Sequence, residues 1–212
     1  MMRQTFVVPL TYVVVCLTGL AFVAPQAANA ADDAVTRSNG NLNGWQTEGN
    51  WIVEPEGVIA LRPRPGEGGW QRFGSYLWAE RQYGDFVFDL EYRMQKGANS
   101  GVFVRVGELK NPVRTGIEVQ LDTSRGVGHH ANAGILFTTG ATKQTAKPLG
   151  EWNHMKVTCK ENNLQVWLNG ETVVDLALDQ SKMQDRPLRG YVGLQDHGKP
   201  IEFRNLKITP LK

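Results

Sequence analysis

Apolar and polar residues alternate with a period of two along most of this 212-residue chain. The pattern is clearest in residues 85–94, where Phe86 and Phe88 begin an apolar series on every second position, and it returns in residues 116–122 and 163–169. Successive side chains of a strand point to opposite faces of a sheet, so each segment predicts a strand with one buried face and one polar face. No stretch shows a sustained helical period, and we therefore predict an all-β protein.

Turn signals and composition narrow the fold further. Asn169-Gly170 separates two strand patterns and predicts a hairpin, because both central residues of a type I′ turn need positive φ. Hydrophobic residues make up 41% of the chain, enough to build a core. Many short antiparallel strands, each with one apolar face, favour a two-sheet antiparallel jelly-roll sandwich. With no linker or repeat in the sequence, residues 38–212 are predicted to form a single domain.

The N-terminus has the three parts of a secretory signal peptide. Arg3 precedes an apolar run, and a small-x-small exit ends at Ala30, so we predict a signal peptide over residues 1–30 and a short tail over residues 31–37. A membrane anchor is the alternative, and a lipoprotein attached through Cys16 is a weaker one. Cleavage would place the protein in the periplasm or outside the cell, with no remaining membrane contact.

Two counts limit the chemistry of the exported chain. It would keep only Cys159, which excludes an intrachain disulfide, and Cys159 lies in an alternating segment that predicts a buried strand residue. Lysine and arginine number 23 against 21 acidic residues, a net charge of +2. That charge is too small for a partner bound through phosphate neutralisation, so we expect no nucleic-acid partner. A small-molecule sugar is the expected partner, and the oligomeric state is left open.

Acids, arginines and amides are mixed on the polar strand faces. If the strands that carry them were neighbours, they would form a groove suited to sugar hydroxyls and proton transfer. A solvated face with cross-strand ion pairs explains the same pattern equally well. The residues concerned are Glu91, Arg93, Asn99, Arg105, Glu118, Gln120, Asp122, Gln195 and His197.

Spacing argues against an ordinary glycosidase on the strand of residues 116–122. Glu118 and Asp122 are separated by roughly 13 Å at about 3.3 Å per residue. Retaining enzymes need carboxyl groups about 5 to 5.5 Å apart and inverting enzymes about 6.5 to 9.5 Å apart. The intermediate position is Gln120, so this strand alone lacks the pair, although Glu91 from another strand could still approach Glu118.

The histidines give weaker signals. His129 and His130 are adjacent in a glycine-rich loop and cannot easily bind one metal together. His197 ends a strand where loops would border a groove, although a hydrogen-bonded structural histidine is a fair alternative. The sequence requires no cofactor. Glu118, Asp122 and His197 nevertheless have side chains that could bind a divalent cation.

In order along the chain, several motifs resemble the secreted 3-keto-disaccharide hydrolase family. The most specific are Glu-Tyr-Arg at 91–93, Asn-Ser-Gly-Val at 99–102, Glu-Val-Gln at 118–120 and Leu-Gln-Asp-His-Gly at 194–198. The resemblance covers nearly the whole exported chain. It implies a concanavalin-like jelly roll and an activity on sugars that carry a ketone at C3, where a base can remove the C2 proton and the C1 substituent can leave before water adds.

Within this resemblance, we assign roles from the strand faces. Glu118 is the expected base and His197 the expected acid, and Arg93 and Arg105 are the expected donors to the ketone or enolate oxygen. A group of polar residues is expected to bind hydroxyls or orient these groups: Glu91, Asn99, Gln120, Asp122 and Gln195. The family often has tyrosine in the segment that reads Gly-Ile-Leu-Phe at 134–137 here, so a hydroxyl at that place is missing.

Two other functions remain open at this point. A non-catalytic carbohydrate-binding domain would fit the six tryptophans, although they are scattered rather than arranged in a stripe. A purely structural envelope protein would explain neither the arginines nor the mixed acids on the strand faces.

Overall fold

The computed structural model describes residues 36–38 and 40–212. The predicted signal peptide, Cys16 and most of the predicted tail lie outside the described residues, so the leader and export stay predictions. Within the described residues, no helix combines the length and apolar character needed to cross a membrane.

The described chain is built almost entirely from strands. Its helical segments are α1 (Pro112–Thr115) and three 3₁₀ turns at Pro55–Gly57, Phe73–Ser75 and Leu178–Gln180. Its strands are β1 (Thr36–Arg37), β2 (Trp45–Gln46), β3 (Trp51–Val53), β4 (Ile59–Leu61), β5 (Leu77–Tyr83), β6 (Phe86–Arg93), β7 (Asn99–Val106), β8 (Ile117–Asp122), β9 (Trp152–Lys160), β10 (Asn163–Leu168), β11 (Glu171–Ala177), β12 (Gly190–Leu194) and β13 (Ile201–Pro210).

The strands form two antiparallel sheets. The larger, eight-stranded sheet has the order β11-β10-β9-β6-β13-β4-β3, and β1 also pairs with β13. The smaller sheet has the order β2-β5-β12-β7-β8. Strands distant in sequence are neighbours in both sheets, as β6 and β13 are, and the predicted all-β jelly roll of two antiparallel sheets is confirmed. The larger sheet includes Thr36, two residues before the predicted start of the domain.

The apolar faces of the two sheets pack together as one core. Phe86, Phe88 and Leu90 contribute from β6, and Ile117 and Val119 contribute from β8. The predicted faces of these strands are therefore confirmed, and the polar residues between them point away from the core.

Two local predictions are also confirmed. Asn169 and Gly170 have φ of 50° and 105° and join β10 to β11 as a hairpin. Cys159 is buried without a disulfide, and burial raises the pKa of its thiol to about 12, which makes it a core residue rather than a nucleophile.

Candidate active site on the five-stranded sheet

A cavity of about 270 Å³ opens on the outer face of the five-stranded sheet. Strands β7 and β8 supply four of its polar residues and α1 supplies Val113. Loops supply the rest, including Gln195 and His197 just after β12. Its lining comprises Trp70, Asn99, Val113, Glu118, Gln120, Asp122, Arg125, His130, Leu136, Phe137, Gln195 and His197. Six of the nine residues predicted for the site therefore meet in one place: Asn99, Glu118, Gln120, Asp122, Gln195 and His197.

The loop after β8 covers this edge of the sheet. Leu136 donates its N–H to the carbonyl of Glu118 at 3.0 Å, and Ala133 donates to the carbonyl of Gln120 at 2.7 Å. Gln120 in turn donates its N–H to the carbonyl of Gly134 at 2.8 Å. These bonds occupy backbone groups that an edge strand would leave open, and they hold the loop beside the polar side chains of β8.

Glu118 is the least solvated carboxyl group in this cavity, with 5% of the residue exposed. It accepts hydrogen bonds from the side chains of Gln120 and Gln195, and none of the ion pairs found among residues 36–38 and 40–212 includes it. Burial without a counter-ion raises the pKa of Glu118 to about 8, and the two amides only partly offset that effect. A carboxyl group of this kind gains and loses a proton near neutral pH.

A glycine makes room for the Glu118 carboxyl group. Gly101 pairs with Gln120 across β7 and β8, and a Cβ at Gly101 would lie 2.4 Å from Oε1 of Glu118. Any larger side chain would displace the carboxyl group, so the glycine in the Asn-Ser-Gly-Val motif has a direct steric reason.

Gln195 connects this carboxyl group to the sheet. Its N–H donates to the carbonyl of Gly101 at 2.9 Å, and its own carbonyl accepts from the Ser100 hydroxyl at 2.7 Å. Its side chain donates to Glu118, while its Oε1 is buried and has no partner among the described protein groups. An unpaired buried acceptor beside Glu118 is a suitable contact for a ligand hydroxyl.

Asp122 and His197 occupy the border of the cavity. The Asp122 carboxylate accepts from the N–H and the hydroxyl of Ser124 at 2.6 and 2.7 Å, and from Nδ2 of Asn99 at 3.3 Å. The Asp122 carboxylate therefore fixes the positions of Asn99 and Ser124. His197 is half-buried and follows Asp196, a buried carboxylate that pairs with Arg72 and holds the turn after β12.

The cavity is also lined by three residues that were not predicted as site residues from the sequence: Arg125, His130 and Phe137. They lie in the loop of residues 123–140, which has no periodicity to reveal a face. His130 contacts the Phe137 ring, and Phe137 donates its N–H to Nδ1 of His129 at 3.1 Å. The one available signal was the resemblance, since the segment that often carries the family's tyrosine contributes Phe137 here.

The expectation that Glu91 and Arg93 share a groove with Glu118 is wrong. Both lie on β6, which belongs to the eight-stranded sheet, so their side chains point to the opposite outside surface of the sandwich. Glu91 pairs with Arg204, and Arg93 pairs with Glu202. This surface matches the alternative of a solvated face with cross-strand ion pairs.

The expectation for Arg105 is wrong for a different reason. Strand β7 is on the correct sheet, but an extra residue bulges between Phe103 and Val106, and Arg105 has φ of 51°. The bulge turns the side chain inward, where it is fully buried. Its Nη2 donates to Asp85 at 3.0 Å and its Nη1 to the carbonyl of Glu161 at 2.6 Å, so Arg105 ties the two sheets together.

Trp45 and Trp51 belong to the core between the sheets, and Trp78 is buried in a separate aromatic cluster with Tyr76 and Phe103. Trp152 and Trp167 are half-buried beneath arginine and lysine side chains. Trp70 differs, because it is exposed and lines the cavity.

Among the described residues, no three histidine, cysteine, aspartate or glutamate side chains cluster in a way that could hold a metal ion. The Asp122 carboxylate is hydrogen-bonded on both oxygens, and Glu118 accepts from two amides. These carboxyl oxygens are therefore already engaged by protein donors, and the divalent cation remains a prediction.

Residues 33–209 match the family described as the 3-keto-alpha-glucoside-1,2-lyase-like domain. A 3-keto-disaccharide hydrolase of Bacteroides thetaiotaomicron is 26% identical over 231 residues, which cover 85% of this chain and 79% of that protein. A solved structure from Parabacteroides distasonis, provisionally named a glycosyl hydrolase, gives a TM-score of 0.72 at 25% identity, over 84% of this chain and 100% of that one. The carbohydrate-binding module CBM66 of Bacillus subtilis has the same fold, with a TM-score of 0.57 at 17% identity, over 77% of this chain and 94% of that one.

Proposed function

This chain belongs to the 3-keto-alpha-glucoside-1,2-lyase-like domain family, and on that premise we propose that it cleaves the glycosidic bond of 3-keto-glucosides and 3-keto-disaccharides. The proposed route removes the C2 proton, eliminates the C1 substituent and then adds water. The homologue named as a 3-keto-disaccharide hydrolase supports a glycoside-cleaving activity. The elimination route is supported by the chemistry of the cavity.

One observation carries the proposal: Glu118 is a buried carboxyl group that has no counter-ion among the described residues, and its pKa is raised to about 8. A general base works best when its pKa is near the working pH. The other strand carboxylate in the cavity, Asp122, is bonded to Ser124 and Asn99, so Glu118 has no second free carboxylate beside it. One base suits an elimination better than the two-carboxylate displacement of ordinary glycosidases.

The proposed elimination balances as follows. The ketone at C3 acidifies the C2–H bond, because the electron pair left at C2 delocalises onto the ketone oxygen. Ionised Glu118 takes the C2 proton, the electron pair forms a C1=C2 double bond, and the C1–O bond breaks. The leaving oxygen takes a proton from His197 and departs as an alcohol or a sugar. Water then adds its hydroxyl to C1 and gives its remaining proton to His197, while Glu118 delivers to C2 a proton that has exchanged with solvent. Both side chains are restored, and the sum of the two halves is hydrolysis.

Negative charge on the ketone oxygen needs a donor, and the corrected positions of Arg93 and Arg105 exclude both. In the described lining of the cavity, Arg125 supplies a guanidinium and Asn99 an amide. We assign them as the donors, because hydrogen bonds aimed at the developing enolate lower the barrier to proton removal. Gln195, through its unpaired Oε1, is assigned to a substrate hydroxyl.

The test is turnover of a 3-keto-glucoside by the wild type and by Glu118→Gln. We expect the variant to lose about 10²- to 10⁴-fold in kcat/KM, the usual contribution of a general base. In D₂O, the sugar that the wild type releases should carry deuterium at C2 beyond that of sugar incubated without protein. Glu91→Gln is the matched control, because Glu91 lies on the other sheet, and it should retain wild-type turnover.

Three outcomes would contradict the proposal. Equal turnover by Glu118→Gln would remove the assigned base, and the absence of deuterium at C2 would remove the elimination. Binding of an unoxidised glycan with no turnover of the 3-keto substrate would instead support a non-catalytic binding domain. Parallel assays with a chelator, and with divalent cations restored, test the predicted cation.

A further inference from the structure

The turn that carries His197 is closed by the side chain of Asp196. Oδ1 of Asp196 accepts a hydrogen bond from the N–H of Gly198 at 2.8 Å, two residues further along the chain. Aspartate side chains commonly close turns in this way, and this turn has His197 at its centre. Asp196 therefore holds the backbone from which His197 reaches the border of the Glu118 cavity.

The other carboxylate oxygen of Asp196 pairs with Arg72. Nη2 of Arg72 donates to Oδ2 of Asp196 at 2.5 Å. The side chain of Asp196 is fully buried, and that of Arg72 is 24% exposed. Because a buried carboxylate without its cation is strongly unfavourable, the position of Asp196 depends on Arg72.

Arg72 belongs to a different loop, which packs directly on the turn of His197. A Cβ at Gly198 would lie 2.6 Å from Cα of Gly68, so the backbones of the loop and the turn approach closely. Gly198 has φ of 74°, which favours glycine at this position. The Arg72–Asp196 ion pair and this close approach fix the turn of His197 against the loop.

The ion pair lies behind the wall of the cavity rather than in it. Neither Arg72 nor Asp196 is among the residues that line the cavity, whereas Trp70 and His197 are. The carbonyl of Trp70 accepts from the Tyr76 hydroxyl at 2.6 Å, which holds the loop of Arg72 in place. Arg72 therefore connects the segment that carries Trp70 to the turn that carries His197.

We propose that Arg72 is a positioning residue, which acts through Asp196 to hold His197 where it can protonate the leaving oxygen. The inference rests on the proposed function, in which His197 is the acid. A general acid must come within about 2.6 to 3.2 Å of the atom that it protonates. A displacement of about 1 Å can cost roughly 10²-fold in rate. Loss of Arg72 should therefore slow the reaction most where the leaving oxygen needs a proton.

Two substrates separate this role of Arg72 from a purely structural one. Methyl 3-keto-glucoside releases methanol, whose oxygen needs a proton as its bond to C1 breaks. 4-Nitrophenyl 3-keto-glucoside releases 4-nitrophenolate, which leaves without that proton. The measurement is kcat for each substrate at one pH, expressed as the ratio of methyl to 4-nitrophenyl kcat. A general loss of folded protein lowers both values and leaves the ratio unchanged.

The variants are Arg72→Met and a matched control, Arg93→Met. Arg93 is also a partly exposed arginine paired with a carboxylate, Glu202, but it lies on the eight-stranded sheet. We expect Arg72→Met to lower the ratio at least tenfold and Arg93→Met to leave it within twofold. If Arg72→Met does not fold, Asp196→Asn replaces it, because asparagine keeps an acceptor for Gly198 and lacks the charge that pairs with Arg72. Asp196→Asn should lower the ratio at least threefold.

A double variant shows whether Arg72 acts through His197. His197→Ala removes the acid and should lower the ratio by at least as much as Arg72→Met does. Residues that act on the same step through one another give losses that do not add. Introduced into His197→Ala, the Arg72→Met change should therefore lower the ratio by less than a further twofold.

An unchanged ratio in the folded Arg72 or Asp196 variant would overturn the inference, as would a full additional loss in the double variant. An unchanged ratio in His197→Ala would also overturn it, because His197 would not be the acid. In each of these cases, turnover that Glu118→Gln loses would still support the proposed function. Wild-type protein that turned over neither substrate would remove the function, and this inference with it.

Discussion

The outer faces of the two sheets come from the same alternating sequence pattern but differ in their electrostatics. On the eight-stranded sheet, Arg93 pairs with Glu202 and Arg204 pairs with Glu91, all of them partly open to solvent. On the five-stranded sheet, Glu118 is buried, is held by amides and has no cationic partner among the described residues. Alternation of polar and apolar residues produces both faces.

What separates the two faces is the kind of partner and the access of water. An ion pair between a carboxylate and an arginine on an open sheet face contributes little to stability. Neutral amides stabilise the Glu118 carboxylate less than a cation would. In addition, the loop of residues 123–140 beside β8 limits the hydration of this carboxylate. The free energy of the charged form rises, and the proton affinity rises with it. The environment that raises the proton affinity of Glu118 therefore also lowers the stability of the folded protein when Glu118 is ionised.

The largest expected effect is on stability, in Glu118→Gln. The folded state holds the Glu118 proton up to about pH 8, whereas an unfolded chain releases it near 4.5, so wild-type stability falls as pH rises through this window. Glutamine does not titrate. The variant should therefore gain, relative to wild type, roughly 5 kcal/mol between pH 4 and pH 9, from the 1.36 kcal/mol that accompanies each pKa unit.

Urea unfolding of both proteins at several pH values measures this difference, because groups common to both cancel. Glu91→Gln is the control: it removes one member of a partly exposed ion pair and should change the free energy of unfolding by less than about 1 kcal/mol. A stability difference for Glu118→Gln that stayed constant with pH would mean that Glu118 is not desolvated in the folded protein.

The next largest expected effect is the difference in stability loss between variants of Arg105 and Arg93, the two arginines that we expected in the site from the sequence. Arg105→Met removes a fully buried guanidinium from Asp85 and from the carbonyl of Glu161, and should lower the free energy of unfolding by about 3 kcal/mol. Arg93→Met removes a partly exposed guanidinium and should lower it by less than about 1 kcal/mol. Denaturant unfolding measures both changes. If either variant folds but loses most of its kcat/KM, the arginine it replaces has a catalytic role, which would contradict its position outside the cavity.

These arginines show where sequence reasoning succeeds and where it stops. Alternation is a local property, so it correctly placed Ile117 in the core and Glu118 outside it. Which sheet a strand joins depends on distant pairings, so the same rule could not exclude Arg93 from the site. Arg105 failed because one bulged residue reverses the alternation after it.

The alternating pattern could not predict which loop residues line the cavity. Arg125, His130 and Phe137 reach the cavity because the chain after β8 folds back along that strand through backbone hydrogen bonds. Backbone bonds of this kind leave no signature in the side-chain pattern.

The smallest expected effect is the pH dependence of turnover, about tenfold per pH unit. Only ionised Glu118 can accept the C2 proton. For a 3-keto-glucoside whose aglycone, such as 4-nitrophenolate, leaves without a proton from His197, kcat/KM should therefore rise with pH to a limit above an apparent pKa of about 8. The residual activity of Glu118→Gln should lack this rise, and Glu91→Gln should keep it. A rise centred near pH 4 to 5, the usual range of a carboxyl group, would assign the base to a solvated carboxylate and remove the contrast between the two faces.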